Sequence, residues 1–156
     1  MIALQTYLRD GDAFIAVDQF EGDIRDPMHI EGAIELTVNG VVLMDRSLYD
    51  DVDQLWSYLA QATLDCADRG SGSTLFPDTP IRVSLERVKG DQIEIEIDWP
   101  RPEGRRARAS SAEFVRAVYD HGKAFFDRMT SLAPQNRPAY QDSLSRLARA
   151  TSLLDR

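Results

Sequence analysis

The chain has 156 residues, enough for one domain with its own core. Its 43% hydrophobic and 28% charged residues are those of a folded globular protein, and its single cysteine, Cys66, excludes an internal disulfide or a multi-cysteine metal framework. The net charge of −8 is uneven, with 7 Lys/Arg against 20 Asp/Glu in residues 1–100 and 11 against 6 in residues 101–156, so the acidic body disfavours nucleic acid and favours a basic partner.

The first third reads as β. Residues 3–8 and 13–20 flank Asp10-Gly11-Asp12, a tight-turn composition. Ile30, Ile34, Leu36 and Val38 alternate with Glu31, Ala33, Glu35 and Thr37, and Asn39-Gly40 then supplies the pair best suited to a type I′ turn. The returning strand, residues 41–44, is expected to set Val41 against Val38 and Leu43 against Leu36, all on one face. A helix follows. Ser47 and Asp50 resemble a capping box, Asp50, Asp51 and Asp53 complement the helix dipole, and Leu48, Val52, Leu55, Trp56, Leu59, Ala62 and Cys66 form an apolar stripe that Gly70 closes.

The second hairpin has Ile81, Val83 and Leu85 on one arm and Ile93, Ile95 and Ile97 on the other, alternating with charged residues around the turn 88–91. The rest is helical. Ser110 and Glu113 make an S-x-x-E box, Phe114, Val118, Phe125, Met129 and Leu132 form a stripe, and Asn136 is placed as the cap of a last helix bearing Tyr140, Leu144, Leu147, Thr151 and Leu154. The order β-β-β-β-α-β-β-α-α predicts a single α+β domain: an antiparallel sheet of about six strands with helices on one face.

No motif for catalysis or metal binding stands out. Cys66 lies on the apolar stripe, so it is expected buried. His29 and His121 lack a paired zinc spacing, and the acidic loops Asp10–Asp12 and Asp18–Asp26 lack the calcium-loop pattern. No G-x-S-x-G elbow or phosphate-binding G-x-x-x-x-G-K-[ST] loop is present. Gly70-Ser71-Gly72 reads as a helix-to-strand connection, and the Arg-rich stretch 99–108 as a solvated loop. No cofactor or metal is therefore expected. The candidate site is instead a partner-binding face of Glu35, Glu86, Glu94, Glu96 and Asp98, which with Glu31 all project from one side if both hairpins join one sheet, with only Arg82 and Arg87 nearby to relieve Glu94 and Glu96. Edge protection of exposed strands is the competing explanation for those charges.

The runs Ile34-Glu-Leu-Thr-Val-Asn-Gly-Val-Val-Leu43, Asp51-Val-Asp-Gln-Leu-Trp56, Phe76-Pro-Asp-Thr-Pro-Ile81 and Lys123-Ala-Phe-Phe-Asp-Arg-Met129 resemble a group of small uncharacterised bacterial α+β proteins, some of them similar to immunity proteins of polymorphic toxin systems. The resemblance covers most of residues 30–130 and carries no catalytic signature. It implies a non-enzymatic inhibitor docking a basic protein through an acidic surface. The alternative is a small enzyme or ligand-binding protein with a carboxylate-lined cleft beneath the sheet or beside the 68–79 loop. No apolar run is long enough to span a membrane, and no leader pattern opens the chain, so no membrane association and a cytoplasmic location are expected. The expected quaternary state is a monomer or a weak homodimer built around Phe125 and Phe126, adjacent aromatics that do not easily face one core.

Overall fold

The computed structural model describes residues 1–98 and 104–155. In chain order it has β1 (Ile2–Asp10), β2 (Ala13–Ala16), β3 (Glu31–Val38), β4 (Val41–Met44), β5 (Asp50–Asp51), α1 (Val52–Arg69), β6 (Ser71–Leu75), β7 (Arg82–Val88), β8 (Gln92–Asp98), β9 (Arg105–Ser110), α2 (Ser111–Leu132) and α3 (Arg137–Ser152). The class is α+β with antiparallel strands and three main helices, as the sequence predicts. The expected single sheet of about six strands is corrected to two sheets. One is ordered β2-β1-β3-β4 with β5 beside β3, and the other β6-β7-β8-β9. The β4 and β9 edges meet, and the Asn39 side-chain amide donates to the Arg108 carbonyl at 2.8 Å. One apolar cluster runs through both sheets and all three helices.

Two unexpected strands have weak apolar signals for physical reasons. In β6, a Cβ on Gly72 would lie 2.2 Å from the Ala62 carbonyl oxygen, so close passage beneath α1 requires glycine rather than a large apolar residue. In β9, exposed Arg106 and Arg108 alternate with buried Ala107 and Ala109. The period is that of a strand, but the apolar partner is only alanine. The stretch expected to be a solvated basic loop is therefore a strand from Arg105 onward, and its 99–103 portion lies outside the described residues.

The first hairpin turns through Asn39 and Gly40 at φ 49° and 84°, both positive as a type I′ turn demands. Val38 pairs with Val41, but a bulge then sets Met44, not Leu43, opposite Leu36. Leu43 and Met44 are consequently both buried and Val41 is exposed, which corrects the expected four-residue face. The start of α1 also moves. Ser47 lies in a one-turn 3-10 helix, Arg46–Leu48, with Asp45 accepting its N–H at 2.9 Å. Asp50 and Asp51 instead pair with Gly32 and Glu31, an extended ladder that delays the helix until Val52. Gly70 ends α1 at φ 94°, its N–H donating to the Cys66 carbonyl at 2.9 Å. Ser110 caps α2 by accepting from the Glu113 N–H at 3.3 Å, whereas Asn136 makes no side-chain cap bond to α3.

Phe125 and Phe126 are both buried, contrary to the expectation that one would be displaced outward. The face of α2 that carries them meets both other helices. Phe125 stacks on Trp56 of α1 with centroids 5.8 Å apart, and Phe126 lies 5.5 Å from Tyr140 of α3. An exposed aromatic surface for self-association does not exist at that point. Cys66 is buried as expected, and burial pushes its thiol pKa up. It should therefore react slowly with a thiol reagent in native protein and quickly in denaturant; rapid labelling with unchanged circular dichroism would contradict its placement.

Candidate functional site

The five predicted docking acids lie on two sheets rather than one. Glu35 lies on β3 of the first sheet, 3.5 Å from the Arg46 guanidinium. Glu86, Glu94, Glu96 and Asp98 lie on the second sheet, while Glu31 belongs with Glu35 on the first. Register sets Glu86 opposite Glu94, the like-charge pairing that would weaken a sheet. The relief comes from β9. Arg108 donates to Glu94 at 2.9 Å and Arg106 to Glu96 at 2.9 Å, with Arg106 also 3.6 Å from Glu94. Arg82 faces Asp98 across β7 and β8. Much of this acidic set is thus a mixed-charge ladder.

A different group of acids converges where β5 becomes α1. Asp50, Asp51 and Asp53 are all buried. Helix-dipole complementarity, the reason expected for them, applies to Asp53 in the first turn, but their burial demands more. Asp50 is fully engaged. It accepts from the Asp51 N–H at 2.6 Å, the Asp78 N–H at 3.1 Å and the Thr79 hydroxyl at 2.7 Å. These bonds pin the 78–79 loop against the end of β5. Asp53 accepts from the Gln54 N–H at 2.9 Å and from the Tyr140 hydroxyl at 2.7 Å. Burial raises the Tyr140 pKa, so this tyrosine acts as a neutral donor.

Asp51 is the exception. It occupies the N-cap position of α1, yet its side chain makes no capping hydrogen bond. Its Oδ1 is buried without a hydrogen-bond partner, and its Oδ2 faces His29 Nδ1 at 3.7 Å. Burial first, and then the neighbouring Asp53 carboxyl, push the Asp51 pKa up to about 7, against the opposing pull of His29 and the Ile30 amide. Among the described residues no lysine or arginine pairs with Asp50, Asp51 or Asp53. Among the described residues, the basic side chain that faces this group is the imidazole of His29.

These groups open to solvent through a small cleft of about 140 Å³ bordered by His29, Glu31, Asp50, Asp51, Asp78 and Thr79. His29 and Glu31 also border a second open cleft of about 430 Å³, with Asp10, Asp23, Arg25 and Asp26 on its rim. Arg9, which lines the larger cleft, is engaged by Glu31 at 3.4 Å, by Asp12 at 3.8 Å and by the Tyr49 ring at 4.3 Å. Chemically, the arrangement can hold a proton or a cation. The sequence offered two of its members, His29 and the Asp50–Asp53 group, but gave no sign of their convergence. No helix is long and apolar enough to cross a membrane among the described residues. No protein-family model, curated protein or solved structure matches this chain.

Proposed function

We propose that this chain is a non-enzymatic binding protein, of the immunity-inhibitor kind, that docks a basic partner through the acidic surface around His29. One observation carries the reading: exposed negative charge in the N-terminal segment exceeds its local relief. Residues 1–31 contain seven acids against Arg9 and Arg25, and Asp10, Asp12, Asp18, Glu21, Asp23 and Asp26 are exposed. The sheet-face acids Glu94 and Glu96 already hold arginines of their own. Both clefts beside the acidic segment are open, which suits a broad protein contact better than an enclosed small substrate. Exposed charges of this kind act mainly on the encounter rate and are screened over about 8 Å at physiological ionic strength.

The test begins with an oligo-arginine peptide titrated into isotope-labelled protein. Salt-sensitive chemical-shift changes are expected in residues 10–31 and 78–79, and Asp23→Lys with Asp26→Lys should abolish them. Changes confined to residues 82–98 would return the docking face to Glu86, Glu94, Glu96 and Asp98, and no salt-sensitive changes would defeat the reading. Its inhibitor component predicts that a toxin domain is encoded beside this chain and that co-expression restores growth to cells making it. An alternative reading, a small enzyme using the carboxylate-lined cleft, is favoured by Asp51, whose pKa of about 7 suits a general base.

A further inference from the structure

We propose that His29, Asp51 and Asp78 form a binding site for a zinc-class divalent cation. One ligand atom from each of the three lies within 4.8 Å of the others. They come from three separate segments: the loop before β3, the end of β5 and the loop before β7. A zinc ion holds imidazole nitrogen and carboxylate oxygen at about 2.0–2.2 Å, which places neighbouring ligands roughly 3.3–3.6 Å apart. The 3.7 Å between His29 Nδ1 and Asp51 Oδ2 is already close to that edge. His29 and Asp78 are exposed, so small side-chain rotations can close the rest.

Acidic clusters are common on protein surfaces, and proximity alone would not identify a ligand. The second observation is Asp51 itself. Its side chain is only 4% exposed, and Oδ1 has no hydrogen-bond partner within the protein. A buried carboxylate oxygen left without a donor is met either by a proton or by a bound cation. The surroundings supply no fixed cation, because Asp50 and Asp53 add negative charge and, among the described residues, no lysine or arginine pairs with Asp50, Asp51 or Asp53.

The outer shell is that of a metal centre as well. A ligating imidazole usually presents its other nitrogen to a carboxylate, which fixes the ring. Here Glu31 Oε1 lies 3.5 Å from His29 Nε2, opposite the nitrogen that faces Asp51. Asp50 accepts both the Asp78 N–H and the Thr79 hydroxyl and so holds the backbone of that loop in place. Mixed nitrogen and oxygen donors favour zinc-like ions over magnesium or calcium, which prefer oxygen alone. Three protein ligands beside an open cleft leave a position for water or for a group from a partner. The site does not depend on the docking reading, because it requires only the isolated chain.

Zinc titration by calorimetry of protein first treated with chelator provides the test, with thermal unfolding as a second readout. The expected result is one equivalent of Zn²⁺ per chain, a raised Tm, and no comparable effect of Mg²⁺ or Ca²⁺. His29→Ala and Asp78→Asn alter exposed side chains and should leave the apo-protein folded. Each should weaken binding by more than about tenfold, and Glu31→Gln should weaken it less, as expected for a group that orients a ligand. His121→Ala should change nothing. No Zn²⁺ binding, equal binding in the His29→Ala and Asp78→Asn variants, or equal stabilisation by Mg²⁺ would each overturn the proposal.

Discussion

Replacing Trp56 by alanine is expected to lower the unfolding free energy by about 3–5 kcal/mol. Trp56 is fully buried, and its indole sits where both sheets' shared core meets the helices. It stacks on Phe125 at 5.8 Å, meets the edge of Phe126 at 6.4 Å, and its Nε1 donates to Thr6 Oγ1 of β1 at 3.0 Å. Gly122 admits the indole face: a Cβ there would lie 3.1 Å from Trp56 Cζ3 and 2.6 Å from a Leu147 methyl. Truncation would leave a cavity bounded by two helices, which close packing prevents from collapsing fully. Trp56→Phe keeps much of the volume and loses the bond to Thr6, so it should cost less than the alanine. Urea unfolding followed by circular dichroism reads both, provided the slope with denaturant stays constant. A loss below about 1 kcal/mol for Trp56→Ala would show that the indole does not anchor the core.

The same tryptophan shows why much of the fold was legible from sequence. Its stripe partners recur at helical spacing, the isoleucines of β8 alternate at strand spacing, and Asn39-Gly40 can turn in few ways. These signals are local and large. The grouping of strands into sheets is not local. It depends on β6 and β9, where glycine and alanine occupy positions that tight packing allows, and such residues carry little hydrophobic signal. The mixed-charge ladder is hidden for the same reason, since Arg106 and Arg108 reach Glu96 and Glu94 only because β9 is a strand. The carboxylate site was hidden differently. Asp50, Asp51 and Asp53 had a sufficient explanation at a helix start, and nothing in sequence brings His29 or Asp78 beside them. The available signal was an excess: three acids in four residues are more than one helix terminus needs, and at most one of them can be the N-cap.

That excess makes stability pH-dependent: the metal-free protein should lose stability as pH rises from about 4 to above 7, and Asp51→Asn should remove much of the loss. The ordinary value for this carboxyl is 3.8, and in the fold burial and Asp53 hold it at about 7. Between those values the folded chain keeps a proton that the unfolded chain has released, so unfolding becomes easier as pH increases. Below 3.8 both states are protonated and the favourable contribution is fully present. Above 7 both are ionised, and the native state carries the whole cost of a buried carboxylate beside Asp53, on the order of a few kcal/mol. Asparagine stays neutral across this range and offers an amide that can serve the same surroundings. Its benefit should therefore appear at pH 8 and nearly vanish at pH 4. His29 acts in the opposite sense, since its attraction lowers the Asp51 pKa, so His29→Ala should deepen the loss at high pH. Urea midpoints measured across the range with chelator present decide the matter. Parallel stability curves for the wild-type and Asp51→Asn proteins would mean that Asp51 ionises in the fold as readily as in the open chain.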